Sequence, residues 1–143
     1  MSRPPDLVLR GRAGVGPSVS GVALVSQSGF SARYDLDRES GVFSRPAHDL
    51  FGQSYLERIL VFPTAKGGIA TSWMLAEMAS RDMAPLGLIF SSTNPVMVQG
   101  AVLADLPLMA GLDPDPVVAI KTGDRVELDP AAGRVRVWRA EGS

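Results

Sequence analysis

Both ends of the chain show the alternation of apolar and polar residues that is typical of half-buried β-strands. The alternating segments are Asp6 to Arg10, Val19 to Val25, Val117 to Lys121, Asp124 to Asp129 and Gly133 to Arg139. The short sequence Pro130-Ala-Ala-Gly133 joins the last two as a turn. We therefore expect antiparallel strands contributed by both ends of the chain.

The middle of the chain has a different pattern. Ile59 to Phe62 and Leu86 to Phe90 are continuous apolar runs, as in strands that are covered on both faces. Each run is followed by a helical pattern, over Ile69 to Ser80 and over Pro95 to about Ala104. Two consecutive βα units imply parallel strands joined by right-handed crossovers. The prediction is one α/β domain over residues 1–143, a three-layer β/β/α arrangement with a central parallel βαβα segment.

The helix ends and faces can also be predicted. Thr93 or Asn94 can cap the second helix, with Pro95 at its first position, and Pro85 prevents the first helix from continuing. On the first helix, Glu77 and Arg81 are expected to point outward. The residues expected to meet the sheet are Ile69, Trp73 and Ala76, with Met74 and Met78 on the flank.

A long segment, Ser26 to Ser54, has little periodicity and is rich in Ser, Asp, Arg and Gly. Long irregular segments inside a compact domain are usually functional. Since this one contains Phe30, Tyr34, Phe43 and Phe51, we expect it to pack on the surface or against a partner.

Composition excludes several classes of function. The net charge of −1, with Lys and Arg dispersed along the chain, does not favour electrostatic binding of nucleic acid. No apolar stretch reaches the ~18–20 residues that span a bilayer, and the first ten residues do not form a signal peptide. We therefore expect a cytoplasmic protein that does not associate with a membrane. Zero cysteines and one histidine exclude disulfides and a thiol nucleophile, and disfavour a metal site in this chain.

The candidate chemistry lies between the first central strand and its helix. Lys66-Gly67-Gly68 joins them, and two adjacent glycines allow a ligand to approach main-chain N–H groups. A helix N-terminus carries unpaired N–H groups and partial positive charge, so this turn could bind an anionic substrate group. The spacings of nucleotide-binding glycine motifs are absent. An ordinary surface lysine remains the alternative.

Several pieces of the chain, in their order and spacing, carry a family resemblance. They are Gly14 with the Val-Ala-Leu-Val strand, Ser31-Ala-Arg-Tyr-Asp-Leu-Asp37 with Ser40-Gly41, His48 with Gly52-Gln-Ser54, Leu60-Val-Phe-Pro63 with Lys66-Gly67, Ala84-Pro85, and Gln99-Gly-Ala-Val-Leu-Ala-Asp-Leu-Pro107. In these pieces the sequence resembles the small subunit, or swivel domain, of the aconitase X group.

The resemblance implies a swivelling domain that closes over a larger subunit. That large subunit would carry the cysteines and an iron or iron–sulfur site, while this chain would bind no cofactor. Family members dehydrate small anionic hydroxy acids, including mevalonate 5-phosphate and cis-3-hydroxy-L-proline. The implied function is therefore that of a lyase subunit, inactive alone, that completes the active site of a two-chain hydro-lyase.

The chain departs from the family pattern at one position. The family turn usually reads Pro-x-x-Arg-Gly-Ser, with the serine as the expected base, whereas this chain has Gly68 in its place. Thr71 or Ser72 could act as the base, with Lys66 stabilising its alkoxide. Alternatively, the large subunit supplies the base, the chemistry differs, or the chain is a catalytically silent interaction or regulatory subunit. Ser72 could equally be a residue that bonds to the helix backbone.

Three residues of the long segment are further candidates. Arg33 could bind a substrate carboxylate in a bidentate manner, with Ser31 beside it, or could instead pair with Asp35 or Asp37. For His48, a hydrogen-bonded loop residue is a better interpretation than a general base.

A second resemblance concerns Gly67-Gly-Ile-Ala-Thr-Ser-Trp73, which is similar to the signature of the swivelling phosphohistidine domain. Trp73 stands where the phosphorylated histidine would be, so this resemblance implies shared architecture without phosphotransfer.

Overall fold

The computed structural model describes residues 3–30, 35–65 and 69–139, and residues 69–71 by backbone only. The strands are β1 (Leu7–Arg10), β2 (Val19–Val25), β3 (Leu36–Asp37), β4 (Val42–Phe43), β5 (Arg58–Thr64), β6 (Gly87–Ser92), β7 (Leu108–Ala110), β8 (Arg125–Asp129) and β9 (Arg134–Trp138). The helices are α1 (Ile69–Ser80), α2 (Pro95–Ala104) and α3 (Pro116–Ala119), and a 3₁₀ turn covers Pro130–Ala132.

Across the described residues, one seven-stranded sheet has the order β1-β9-β8-β2-β5-β6-β7. The neighbours β2, β5, β6 and β7 are parallel, whereas β1, β9, β8 and β2 are joined antiparallel. The predicted central parallel segment, flanked by antiparallel strands from the chain ends, is confirmed.

The sheet curls so that its two edges meet. Arg10, the last residue of β1, bridges to Asp113, and Val15, beyond β1, bridges to Leu108 of β7. The inner face of the curled sheet is filled by one apolar cluster, which draws on both the antiparallel and the parallel strands: Leu9, Ala23, Ile59, Val61, Ile89, Met109, Leu112, Ile120, Val126, Leu128, Val135 and Val137. The curl therefore produces the two β layers of the expected arrangement.

The outer face of the parallel strands forms the second cluster. Leu60, Phe62, Leu88 and Phe90 contribute from β5 and β6, because successive strand residues point to opposite faces. Helices α1 and α2 cover this face together with the long segment after β2. None of the helices that the structure describes is both long and apolar enough to cross a membrane.

The predicted bounds of α1, α2 and β2 match the structure. Asn94, rather than Thr93, caps α2: its Oδ1 accepts a hydrogen bond from the Met97 N–H at 2.8 Å, and Pro95 occupies the first helical position. The strand predicted over Val117 to Lys121 is wrong. Asp115 accepts a hydrogen bond from the Val117 N–H, and Pro116 opens the short helix α3 instead.

The predicted face of α1 is wrong at Trp73. Among residues 72–80 of α1, the structure buries Ser72, Leu75 and Met78, whereas Trp73 is 66% exposed; the side chain of Ile69 lies outside the described part of the chain. The long segment is also more ordered than its sequence indicates, since it contains the β3–β4 pair and buries Phe30 and Phe43 completely. Phe51 is exposed, and Tyr34 lies outside the described residues.

Candidate functional site

The candidate site lies at the carboxyl ends of the parallel strands. β2, β5 and β6 are neighbours that end at Val25, Thr64 and Ser92, with Thr64 paired to Ser92. Helix α1 follows β5 and helix α2 follows β6, so both helices begin at this edge. Parallel α/β sheets bind ligands outside the carboxyl ends of their strands, where helix N-termini favour anions.

The described residues that come just before the predicted substrate-binding segments lie at this same edge. Ser31, Arg33, Lys66, Gly67 and Gly68 lie outside the described residues, as does the side chain of Thr71. The residues that precede the two gaps are Phe30 and Ala65, which pair in an isolated parallel bridge, and the Phe30 N–H donates to the Thr64 carbonyl at 3.0 Å. The segments that follow Phe30 and Ala65 therefore start from adjacent points of the structure.

Of the residues predicted to bind substrate or to act as the base in the turn and α1, Ser72 is the one whose side chain the structure describes. It lies in the fourth position of α1, is 6% exposed, and lies against Gly100 of α2. Ser72 also lines a small pocket of about 150 Å³ between the two helices, together with Trp73, Val96, Gln99 and Leu103. Its surroundings are thus those of a helix–helix contact close to the N-terminus of α1.

Sequence reasoning missed a hydrogen-bonded cluster at the end of β2. Ser26 is fully buried, and its hydroxyl donates to Asp49 Oδ1 at 2.6 Å and accepts from the Ser28 N–H at 2.9 Å. The other carboxylate oxygen of Asp49 accepts from the Gln27 N–H at 2.7 Å. Asp49 therefore fixes the backbone that leads from β2 to Phe30. The polar composition of the long segment was the available signal, but it does not identify the pair.

His48 holds the same loop from its other side. Its side chain is buried, and Nε2 lies 3.0 Å from the Gly29 carbonyl while the Leu50 N–H lies 3.1 Å from Nδ1. Since a carbonyl only accepts, these partners assign the proton to Nε2 and leave Nδ1 as the acceptor. The ring also stacks on Phe43 with centroids 5.0 Å apart. With both nitrogens engaged, His48 acts here as a loop-ordering residue.

Three of the cavities in the described structure are larger than the pocket between α1 and α2. One, of about 290 Å³, lies at the end of β2 and is lined by Val25, Gln27 and Lys121 among others. The other two lie elsewhere. They have volumes of about 300 Å³ and about 550 Å³ and share Asp82, Ala84 and Leu86 as lining residues. Both lie near the C-terminus of α1 and the start of β6, at the opposite edge of the sheet from the helix N-termini. We therefore place the candidate site at the carboxyl edge and not in those two cavities.

The chain's own residues do not suit a metal centre. The sequence has no cysteine and one histidine. Within residues 3–30, 35–65 and 69–139, no group of three or more His, Asp or Glu side chains is arranged to hold a metal ion.

Comparison with known proteins gives consistent matches over nearly the whole chain. A sequence model of the aconitase X swivel domain matches residues 8–137. The phosphomevalonate dehydratase small subunit of Methanopyrus kandleri is 37% identical over 119 residues, which cover 83% of this chain and 87% of that protein. The corresponding subunit of Thermococcus kodakarensis is 32% identical over 129 residues, or 90% and 95% of the two chains.

Solved structures agree with the sequence matches. The crystal structure of Thermococcus kodakaraensis aconitase X in its holo-form superimposes with a TM-score of 0.86 at 31% identity, covering 93% of this chain and 99% of that chain. The solution NMR structure of a UPF0107 protein gives a TM-score of 0.81 at 30% identity, over 93% and 100% of the two chains.

Proposed function

This chain belongs to the aconitase X swivel domain family, and we propose that it is the small subunit of a two-chain hydro-lyase that dehydrates a small anionic hydroxy acid. The observation that carries the proposal is the match to phosphomevalonate dehydratase small subunits over almost the full length of both chains. Mevalonate 5-phosphate is therefore the substrate we assign first. The partner is a large aconitase X subunit that contains cysteines.

The iron chemistry of this family is assigned to that partner. Because no cysteine and only one histidine are present in this chain, its residues do not fit an iron or iron–sulfur site. The contribution of this chain is then to bind the substrate anion and to move a proton. Both tasks suit the carboxyl edge of the parallel strands, where α1 and α2 begin.

Anion binding is assigned to the turn before α1. Lys66 and the main-chain N–H groups of Gly67 and Gly68 would hold the phosphate or carboxylate of the substrate, assisted by the N-terminus of α1. Arg33 and Ser31 would contribute from the other segment. The pairing of Phe30 with Ala65 supports this combination, because it brings together the points from which both segments leave.

Proton transfer is assigned to Ser72, with Thr71 as its neighbour on the same helical turn. A serine can remove a proton only if its alkoxide is stabilised, which is the role proposed for Lys66 and the N-terminus of α1. The close contact of Ser72 with Gly100 supports a packing role as well, so the two roles must be separated by experiment.

The test is co-expression with the large subunit and a dehydration assay on mevalonate 5-phosphate, with cis-3-hydroxy-L-proline as the comparison substrate. Lys66→Ala should raise KM by about 10- to 100-fold, since a charge-assisted hydrogen bond contributes about 1.5–3 kcal/mol. Ser72→Ala should lower kcat by about 100-fold or more without changing the free energy of unfolding. Arg12→Ala, on an exposed arginine in the loop between β1 and β2, is the control.

A second candidate function follows from one observation, which is Gly68 at the position of the family serine. In that case the chain is a catalytically silent subunit that retains the fold and the partner. A stable complex that dehydrates no small hydroxy acid, the two substrates above included, would support this role and reject the first. Full activity in Ser72→Ala, Lys66→Ala and Arg33→Ala would instead reject the residue assignments alone.

A further inference from the structure

The outer helical layer has an unusual composition for a surface. Helix α2, Pro95–Ala104, contains no charged residue, and α1, Ile69–Ser80, contains only Glu77. A helix that is apolar on all sides is typical of a protein interior, because a solvent-facing helix normally has a charged or polar outer face. The sequence of α2 is thus that of a covered helix.

The structure nevertheless leaves much of this layer open to solvent. Trp73 is 66% exposed, Val102 is 58% exposed and Leu103 is 55% exposed. Trp73 of α1 and Leu103 of α2 both line the pocket of about 150 Å³, together with Val96 and Gln99. We call Trp73, Val96, Gln99, Val102 and Leu103 the helical patch. An exposed apolar surface with a pocket beside a tryptophan has the features of a protein–protein contact.

The segments outside the described residues have at most four residues each, too few to cover the patch. We therefore look for its occupant on a second polypeptide. The curated relatives are named small subunits, and this chain covers 87–95% of the two described above, so a large subunit is the partner that the proposed function already requires.

The position of the patch also favours that partner. Trp73 is four residues beyond Ile69, the first residue of α1, which corresponds to about 6 Å along the helix axis. A subunit that closes over the turn before α1 is therefore within reach of Trp73. We propose that the helical patch is a docking surface for the large subunit and that Trp73 and Leu103 are its principal contacts; this inference rests on the proposed function.

Binding of the purified large subunit to this chain, measured by calorimetry or interferometry, tests the inference. Trp73→Glu and Leu103→Glu should each weaken binding by about 30-fold or more, as expected for residues at the centre of an interface. Ala131→Glu places the same charge on an exposed residue of the β8–β9 turn and should leave the affinity unchanged. Because the altered residues are exposed, each variant should retain the thermal unfolding midpoint of the wild type, which is checked first.

The outcomes separate the two proposals. If the wild type does not bind the large subunit, the proposed function fails and the docking surface fails with it. If the wild type binds and both patch variants bind equally well, only the docking surface is rejected. If the isolated wild type is a dimer in light scattering, and the patch variants are monomers that still bind the large subunit, the patch belongs to a second copy of this chain and the inference is overturned.

Discussion

Ser72 of α1 and Gly100 of α2 are so close that no side chain fits between the two helices. A Cβ atom placed on Gly100 would lie 2.8 Å from the Ser72 Cα and 3.2 Å from its Oγ. Real Cβ atoms essentially never come within 3.0 Å of such a neighbour, and the nearest atom here belongs to the backbone, which cannot simply rotate away. The contact explains a glycine inside a helix that would otherwise be more stable with alanine.

Gly100→Ala should lower the free energy of unfolding by about 1–3 kcal/mol, the usual range for overpacking. The sign is informative, because intrinsic helix propensity alone would raise it by about 1 kcal/mol. Denaturant unfolding measures the change, with Gln99→Ala as the control on the exposed neighbour, where a change within about 0.5 kcal/mol is expected. A more stable Gly100→Ala protein would mean that the helices are farther apart than the structure shows.

A second prediction concerns Asp49 and the loop after β2. Asp49→Ala removes the shorter of the two contacts of the buried Ser26 hydroxyl, which leaves the Ser28 carbonyl at 3.0 Å, and it removes the acceptor of the Gln27 N–H. These losses should lower the free energy of unfolding by about 1–3 kcal/mol. Because this loop leads to Phe30 and the residues that follow it, the assembled enzyme should also show a raised KM.

Asp49→Asn is the matched control for this position, since it retains one oxygen acceptor in a side chain of the same size. Asp49→Asn should therefore lower the free energy of unfolding, and raise KM, by less than Asp49→Ala does. Equal stability of wild type, Asp49→Asn and Asp49→Ala in denaturant unfolding would show that the cluster does not order the loop.

The sequence predicted the helices well where local signals are strong. Asn94 and Pro95 mark the start of α2 through capping and a fixed φ angle. Pro85 limits how far α1 could extend, but the helix already ends at Ser80, before Asp82 with its positive φ of 58°. It failed at Val117 to Lys121, where the alternating apolar residues resemble a strand. Asp115 and Pro116 come directly before this segment, and an acceptor followed by proline is a helix start.

The face of α1 could not be predicted, for a related reason. Apolar residues occupy nearly every position of this helix, so periodicity does not distinguish Trp73 from Leu75. The contact with Gly100 selects Ser72 as the buried residue, and this information is tertiary. β7 was also missed, because three residues after a proline carry too little pattern to identify a strand.

For the candidate site, the sequence indicated its position at the carboxyl edge of the sheet but not the hydrogen bonds that hold the neighbouring loop. The strand–turn–helix pattern around Lys66 places the candidate anion site at the carboxyl edge of the sheet, whereas the pairing of Asp49 with Ser26 joins residues 23 positions apart. Such a contact depends on how the long segment folds back onto β2, which single-sequence patterns do not contain.

The last prediction concerns Tyr55, whose side chain is fully buried and whose hydroxyl has no hydrogen-bond partner among the residues that the structure describes. Tyr55→Phe removes this unpaired group while keeping the ring, which packs edge-on against Phe43 at 6.1 Å. The free energy of unfolding should rise by about 1 kcal/mol, because the cost of desolvating the hydroxyl is no longer present.

The same residue predicts a dependence on alkaline pH. Burial, aided by the charge of Asp37, raises the pKa of Tyr55 above its ordinary value of 10.0, although Arg38 and Arg81 act in the opposite direction. Above about pH 10 the unfolded chain then releases this proton while the folded chain keeps it, so stability falls as the pH rises toward the folded pKa. Denaturant unfolding between about pH 8 and pH 11 should give a shallower decline for Tyr55→Phe than for the wild type. Parallel curves would show that the Tyr55 hydroxyl ionises as easily in the folded protein as in the unfolded chain.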